Sequence, residues 1–194
     1  MEATELERVR RARGGDAEAF RAIVESYSRP LWRAAFRVLE DAAAAEDAVQ
    51  DAFLRAWRAL DRFDEKAELS TWLYRIAINA AIDHRRERRR RDAQTGTLPE
   101  DFDGQVTARS DAPDPHRSAF WREMAGRARD AISELPDAER TAILLRHYEG
   151  RSIAEIAIVL GGGENAAKQA VFRAVRKVRA VLGPLMEMSH GETA

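Results

Sequence analysis

Apolar side chains recur every three or four residues along most of the chain, the spacing that gathers them on one face of an α-helix. No stretch alternates apolar and polar residues as a half-buried strand would. The pattern predicts an all-α protein with two helical domains, a helical bundle at residues 1–91 and a second domain at residues 115–188. Residues 92–114 are acidic, rich in Gly and Pro and without apolar period, which predicts a flexible linker, and residues 189–194 form a polar tail.

Capping residues and helix breakers predict where the helices of the first domain begin and end. Asp16 and Asp41 each precede a segment of helical period and are expected to be N-caps. Pro30 is expected to bend or interrupt the helix that Asp16 opens. Ser70 or Thr71 is the expected N-cap of the last helix of the bundle, which runs into the basic stretch RRERRRR.

The third predicted helix, AAAAEDAVQDAFLRAWRAL, carries a polar patch beside its apolar face. Its buried stripe is expected to comprise Val49, Ala52, Phe53, Ala56 and Leu60. Asp47, Gln50 and Asp51 stand at i, i+3 and i+4 and therefore share one side of the helix. Two interpretations are open, a solvated helix surface or a contact for a partner protein.

The fourth predicted helix carries a mixed polar stripe that leads into the Arg run. This stripe combines an indole, an amide and guanidinium groups, namely Trp72, Arg75, Asn79, Arg86 and Arg90. Cations neutralise phosphates, an aromatic ring supports an unstacked base and an amide reads a base edge, so the mixture is typical of nucleic-acid binding. Alternatively, Trp72 belongs to the core and the Arg run is a solvated helix end.

The second domain contains the sequence pattern of a helix-turn-helix. Ser152 and Glu155 form a capping box for a helix of about two turns, residues 161–163 are a glycine turn, and a long basic helix follows from Glu164. In this motif the second helix enters the major groove of DNA.

The long helix places an aromatic ring opposite its apolar stripe. The stripe is expected to comprise Ala167, Val171, Ala174, Val178 and Val181. The outer face carries Lys168, Gln169, Phe172, Arg173 and Arg176. Phe172 either packs against a neighbouring helix or partner chain, or faces a DNA groove and contacts thymine methyl groups while its neighbours bind bases and phosphates. The helix-turn-helix pattern favours the second interpretation.

Composition argues against several other classes of protein. The 194 residues include no Cys and only four His, which excludes disulfides and Cys-ligated zinc, so no metal or cofactor is expected. The net charge of −1 conceals basic stretches at residues 85–91 and 164–182. No apolar run is long enough to cross a bilayer and the amino terminus is charged, so a cytoplasmic protein without membrane insertion is expected.

Three segments resemble, in the same order, those of the extracytoplasmic-function sigma factors, the small two-domain specificity subunits of bacterial RNA polymerase. AEDAVQDAFLRAWRALDRF resembles the helix of that family that binds core polymerase. STWLYRIAINAAIDHRRER resembles its element for the promoter box nearest the start site, and LPDAERTAILLRHYEGRSIAEIAIVLGGGENAAKQAVFRA resembles its reader of the upstream box. The resemblance covers residues 6–182 and implies positioning of the polymerase rather than catalysis.

The resemblance also implies partners and contact residues. The positions that meet the clamp helices of the polymerase's largest subunit are matched by Asp47, Gln50 and Asp51. The other implied partners are the flap of the second-largest subunit, promoter DNA and an anti-sigma factor. The residues implied for the start-proximal box are Phe63, Ser70, Trp72, Arg75, Asn79, Arg85 and Arg86. Those implied for the upstream box are Lys168, Gln169, Phe172, Arg173 and Arg176.

Three features depart from the family pattern. Gly163 stands where a Ser or Thr N-cap is usual, which implies a slightly weaker cap. Ala170 stands where a further Arg is common, which implies one phosphate contact fewer. The loop FDEKAEL replaces the Arg, Gly and small polar residues of many members, which leaves base preference at the start-proximal box open.

Two other functions are compatible with parts of the sequence. A helix-turn-helix regulator that acts without core polymerase would bind palindromic DNA on its own. A helical-bundle hydrolase using Asp83 and His84 would need a nucleophile, a phosphate loop or a ligand cluster, and the sequence places none beside them. Binding to core polymerase would distinguish the sigma factor from both.

Overall fold

The computed structural model describes residues 3–95 and 115–191. Within these ranges the backbone forms eight α-helices, one 3-10 turn and no strand, as the apolar period predicts. The elements are α1 (Ala3–Arg13), α2 (Ala17–Leu39), α3 (Ala42–Ala59), the 3-10 turn Leu60–Arg62, α4 (Leu69–Thr95), α5 (Pro115–Ser133), α6 (Asp137–His147), α7 (Ile153–Leu160) and α8 (Glu164–Gly191). Most of the predicted linker, residues 96–114, lies outside the described residues, as do residues 192–194 of the predicted tail.

Several helix ends follow the predicted capping chemistry. Asp16 and Asp41 each accept hydrogen bonds from backbone N–H groups in the first turns of α2 and α3, which satisfies donors that a helix start leaves unpaired. The capping box of Ser152 and Glu155 is complete, with both reciprocal hydrogen bonds formed. These helix ends are determined by nearby side chains and can therefore be predicted from the sequence.

Two expectations about the helices are wrong, and a third is wrong in part. α2 is not interrupted at Pro30, because buried residues on both sides of the proline anchor the helix to the bundle, and the expected bend at Pro30 stays a prediction. α4 begins at Leu69, whose side chain is fully buried, so Ser70 and Thr71 lie inside its first turn and do not cap it. Val181 is exposed because the domain core covers only the first half of α8.

The helices form two domains that pack against each other. α1 to α4 make the N-terminal bundle, and α5 to α8 make the C-terminal domain, in which α7 and α8 form the helix-turn-helix. α4 contacts α7, and α2 contacts α6, so one cluster of buried side chains continues across both domains. The sequence predicted the two domains but not this contact. No helix within the described ranges is both long and apolar enough to span a bilayer.

Candidate nucleic-acid and polymerase interfaces

The helix-turn-helix presents the predicted upstream-box residues on one open face. Gly161 ends α7 with a φ of 69°, a left-handed conformation that glycine adopts without strain. α8 then packs on the domain through the small side chains of Ala167, Ala170 and Ala174. All five predicted residues are exposed on the opposite face: Lys168, Gln169, Phe172, Arg173 and Arg176.

Among the described residues, no other helix buries the ring of Phe172. Its relative exposure is 62%, although a phenyl ring gains free energy when it leaves water. The exposed ring lies on the same helix face as Lys168 and Arg176. The intramolecular interpretation of Phe172 is therefore wrong, and an intermolecular contact remains.

A buried carboxylate lies beneath the outer face of α8. Glu139 of α6 accepts hydrogen bonds from Arg173 Nε and from Lys177 Nζ, each at 2.8 Å. Burial alone would raise the pKa of Glu139, but these two hydrogen bonds hold it below its usual value. Because Glu139 uses only the Nε of Arg173, the contact orients the guanidinium while its two Nη groups can serve another acceptor. This contact was not predicted, since Glu139 belongs to a different helix.

The two departures in the upstream reader have different structural consequences. Ala170 is buried, so a longer side chain there would have to leave the domain core before it reached a phosphate. The expected loss of one phosphate contact at Ala170 stays a prediction. Gly163 precedes α8 and is exposed, and a Cβ at this position would meet nothing within 4 Å.

The predicted polymerase-binding residues share one side of α3, as their spacing requires. Asp47 and Gln50 are exposed and Asp51 is half-buried. Asp51 pairs with Arg55 at 2.7 Å, and Arg55 also pairs with Asp83 of α4 at 2.9 Å. The hydrogen bonds to Asp83 and Asp51 raise the pKa of Arg55. Two of the three residues are therefore open to a partner, and the third is held by an exposed ion pair.

An apolar groove adjoins this polar face and was not predicted. It lies between α2 and α3 and is lined by Ala17, Phe20, Val24, Gln50, Phe53, Leu54 and Trp57. Leu54 and Trp57 remain 57% and 40% exposed although both are large apolar residues. Both residues fall outside the predicted buried stripe of α3, and this could have indicated from the sequence that they are exposed. Exposed apolar surface beside a polar rim is typical of a protein-binding site.

The residues predicted for the start-proximal box are divided between surface and core. Arg75 and Asn79 are exposed on α4, and Trp72 is partly buried. Phe63 is only 3% exposed and lies against Trp72, with ring centroids 5.1 Å apart. Phe63 therefore supports Trp72 from the core side, and its own ring does not reach the surface. Trp72 is thus half-buried against the core, and its contact with DNA stays a prediction.

The loop between Phe63 and Leu69 is attached to α1. Arg13 donates a hydrogen bond to the Leu60 carbonyl at 3.0 Å and another to the Phe63 carbonyl, and it pairs with Glu65 at 2.7 Å. Arg10 also pairs with Glu65, at 2.8 Å. These contacts join residues about fifty positions apart, so a single sequence could not predict them.

Two other predicted DNA-binding residues are engaged by the C-terminal domain. The Arg85 side chain is 9% exposed and donates hydrogen bonds to Asp137 Oδ1 and the Ser133 carbonyl, each at 3.0 Å. Burial, and after it the nearby cations Arg140 and Arg89, lower the pKa of Arg85 to about 10. Arg86 donates to the other carboxylate oxygen of Asp137 at 3.0 Å. In this conformation Arg85 is not available to DNA.

Family models match both domains. Sigma-70 region 2 matches residues 23–91, and Sigma-70 region 4 matches residues 125–178. The RNA polymerase sigma-H factor of Pseudomonas aeruginosa is 35% identical over 181 residues, which cover 92% of this chain and 93% of that protein. The ECF RNA polymerase sigma factor SigW of Bacillus subtilis is 32% identical over 189 residues, covering 95% of this chain and all of that protein.

Solved structures share the fold. CnrH, solved in complex with the cytosolic domain of CnrY, is 26% identical with a TM-score of 0.65, covering 94% of this chain and 99% of that one. The sigma factor RpoE of Bartonella quintana, solved in complex with the anti-sigma factor NepR, is 23% identical with a TM-score of 0.67, covering 86% of this chain and 98% of that one. The two matched regions and the full-length relatives agree with the motifs in α3, α4 and α8, and the chain belongs to the extracytoplasmic-function (ECF) family of RNA polymerase sigma factors.

Proposed function

We propose that this chain binds core RNA polymerase through α3 and directs it to promoters that are read by α4 and α8. The observation that carries the proposal is the exposed Phe172 ring among cations on the second helix of a helix-turn-helix, in a chain of the sigma factor family. Its role is positioning and duplex opening, and the polymerase performs the chemistry.

The α3 surface is the proposed contact for the clamp helices of the polymerase's largest subunit. Asp47 and Gln50 supply exposed polar groups, and the groove beside them supplies apolar area around Leu54 and Trp57. An apolar patch with a polar rim suits a helical partner, because apolar contact gives affinity and the rim fixes orientation. The C-terminal domain is proposed to meet the flap of the second-largest subunit.

The exposed side of α4 is the proposed contact for the start-proximal box. Trp72 can stack an unpaired base, Asn79 can read a base edge and Arg75 can neutralise a phosphate. Stacking an extruded base offsets the unstacking cost of a few kcal/mol. We assign Phe63 a supporting role behind Trp72, because its ring is buried.

The outer face of α8 is the proposed contact for the upstream box. Gln169 and Arg173 can donate hydrogen bonds to base edges or phosphates, Lys168 and Arg176 can neutralise phosphates, and Phe172 can pack on thymine methyl groups. The contact of Arg173 with Glu139 supports this assignment, since an oriented guanidinium loses less entropy on binding.

We further propose that an anti-sigma factor controls this chain. The chain itself is proposed to act in the cytoplasm with the polymerase. The related CnrH was solved with the cytosolic domain of a second protein, CnrY. An inhibitor of this kind could bind the apolar groove around Leu54 and Trp57, which is also the proposed contact for the polymerase. An inhibitor seated there would block assembly directly.

The test is reconstitution with core polymerase. The purified chain is incubated with core enzyme, separated by size-exclusion chromatography and assayed for run-off transcription from a library of promoter sequences, with core enzyme alone as the control. Co-elution and enrichment of templates that share two spaced boxes are expected. A folded chain that neither co-elutes nor changes the selected templates refutes the proposal.

A further inference from the structure

Two buried residues of α1 determine where its arginines lie. Val9 and Ala12 are buried against the N-terminal bundle, which fixes the rotation of α1 about its own axis. Arg10 and Arg13 each follow one of them in the sequence and stand at i and i+3, so they share a neighbouring side of the helix. Both side chains reach the segment that connects α3 to α4, including the loop of residues 64–68.

Arg13 binds the carboxyl end of the 3-10 turn. It donates a hydrogen bond from Nε to the Leu60 carbonyl at 3.0 Å and another from Nη2 to the Phe63 carbonyl. Carbonyls at the end of a helical turn lack partners inside that turn, and a cation there also interacts favourably with the helix dipole. The third nitrogen, Nη1, pairs with Glu65 at 2.7 Å. One guanidinium therefore holds three points of the same short segment.

Both oxygens of the Glu65 carboxylate are bound by α1. Arg10 donates to Oε2 from Nε at 3.1 Å and from Nη2 at 2.8 Å, and Arg13 binds Oε1. The hydrogen bond from Arg10, together with the charges of both arginines, lowers the pKa of Glu65. The side chain of Glu65 is thus directed at α1 and anchors the loop of residues 64–68 to it.

This loop also contains a hydrogen-bonded turn of its own. Asp64 accepts a hydrogen bond from the Lys66 backbone N–H through Oδ1 at 3.0 Å, an Asx-turn, and its carbonyl accepts one from the Ala67 backbone N–H at 2.9 Å. Glu65 fixes the turn on one side, and the fully buried Leu69 fixes it on the other. The loop therefore has a defined backbone although it carries no apolar core residue between its ends.

The loop adjoins the proposed stacking site of Trp72. The ring of Phe63, immediately before the loop, lies against the Trp72 ring with centroids 5.1 Å apart. At the other end of the loop, the Trp72 backbone N–H donates to the Glu68 carbonyl at 3.1 Å. A change in the shape of the loop would therefore change the surroundings of the Trp72 ring.

We propose that Arg13 and Arg10 are positioning residues for base capture, because they hold the loop of residues 64–68 in the shape that receives an unpaired base beside Trp72. The inference rests on the proposed role of α4 in opening the start-proximal box. Neither arginine is assigned a contact with DNA. A loop that is ordered before binding loses less conformational entropy when the base enters, so its order strengthens capture without an added contact.

Amide hydrogen exchange measured by NMR reports the order of the loop without DNA. The probes are the N–H groups of Lys66 and Ala67, since both donate to Asp64. Arg13→Ala should speed their exchange about tenfold, the effect of losing about one net hydrogen bond. Arg10→Ala should speed it about twofold to threefold, because the Arg10 side chain is 55% exposed and its pair is screened by solvent.

Two controls show whether the contacts themselves cause this change. Arg11→Ala removes the same charge from α1, but Arg11 pairs with Asp16, so exchange in the loop should stay as in the parent chain. Arg10→Ala should have no further effect in a Glu65→Ala background, because Arg10 then has lost its partner in the loop. Far-ultraviolet circular dichroism and co-elution with core polymerase verify that each variant is folded.

Binding of single-stranded DNA tests the role in capture. The probe is a fluorescent strand that carries the start-proximal box of a promoter selected by the parent chain, titrated with holoenzyme at several salt concentrations. Arg13→Ala should weaken binding, by no more than the factor by which exchange accelerates, because apparent affinity scales with the ordered fraction of the loop. The slope of log affinity against log salt should not change, whereas Arg75→Ala, at a proposed phosphate contact, should reduce it by about 0.7. Replacing the bases of the box in turn should reveal lost discrimination at one position, that of the captured base.

The outcomes separate this inference from the proposed function. Unchanged exchange at Lys66 and Ala67 in Arg13→Ala overturns the anchoring of the loop. Faster exchange with unchanged DNA affinity and base discrimination overturns the role in capture, provided that the parent chain selects promoters with core polymerase. A salt slope that falls by about 0.7 in Arg13→Ala shows that Arg13 contacts a phosphate itself and overturns its positioning role. A parent chain that neither binds core polymerase nor selects promoters refutes the proposed function, and the role in capture with it, whatever the exchange rates.

Discussion

Glu155→Gln is expected to destabilise the chain by about 1–2 kcal/mol at neutral pH. Glu155 accepts hydrogen bonds from the Ser152 backbone N–H, from the Ser152 hydroxyl and from Arg151, each at 2.8 Å. Gln keeps an acceptor for the capping box, so the helix start of α7 is retained. The substitution therefore removes the negative charge and leaves most of the geometry.

The magnitude follows from the pKa of Glu155. Burial opposes ionisation, but the hydrogen bonds from Ser152 and Arg151 lower the pKa of Glu155 from 4.5 to about 2. One pKa unit corresponds to about 1.4 kcal/mol, so the charge contributes up to about 3 kcal/mol. The side chain is 30% exposed, and solvent screening reduces the expected value to about half of that. Since the folded-state pKa is lowered, the contribution is complete above 4.5 and is lost as the pH falls towards 2.

Urea unfolding followed by far-ultraviolet circular dichroism measures this contribution across pH. The stability gap between the parent and Glu155→Gln should be largest at neutral pH and should close in acid. Glu123→Gln is the matched control, because Glu123 pairs with Arg127 at 3.0 Å on an exposed helix surface and should cost no more than about 0.5 kcal/mol. A gap that does not narrow in acid, or an equal cost for Glu123→Gln, would show that the charge of Glu155 does not stabilise the fold.

Four further variants test the proposed interfaces. Asp51→Arg should abolish co-elution with core polymerase at unchanged helicity, because it reverses a charge on the α3 surface; normal co-elution of the folded variant contradicts this. Phe172→Ala should weaken transcription from promoters with an intact upstream box about fivefold to tenfold. It should not lower Tm, because the ring is exposed. Scrambling the upstream box should remove the difference in transcription between the variant and the parent chain. Gly163→Ser should raise the free energy of unfolding by a few tenths of a kcal/mol through a better N-cap, and a lower Tm would argue against open space at this position. Glu139→Ala should release Arg173, so that affinity for DNA without the upstream box rises while discrimination between box sequences falls. An equal change in affinity for DNA with and without the box would indicate a purely structural role.

The sequence predicted what depends on neighbours along the chain. Asp16 and Asp41 cap helices because their side chains reach backbone groups two or three residues ahead. The outer face of α8 follows from the helical period alone, and the exposed ring of Phe172 confirms its orientation. Local chemistry of this kind is independent of how the helices assemble.

Contacts between distant segments were not predictable in this way. Phe63 is followed by a charged stretch, and its position does not show that its ring packs under Trp72. Glu149 has the pattern of an exposed residue before a glycine turn, yet it is held by Arg37 and Tyr74 more than seventy residues away. Tertiary packing decides the surroundings of such residues, and one sequence does not specify that packing.

The attachment of α1 to the loop after the 3-10 turn has a consequence for how promoter opening varies among related chains. The match to Sigma-70 region 2 begins at residue 23, so Arg10 and Arg13 lie before it, although they bind Glu65 and the backbone of that loop. Substitution at these two positions would loosen the loop between Phe63 and Leu69 without altering any side chain that is proposed to contact DNA. Under the proposed function, two sigma factors with identical promoter-contacting residues would open the same DNA at different rates, and the difference would originate in α1.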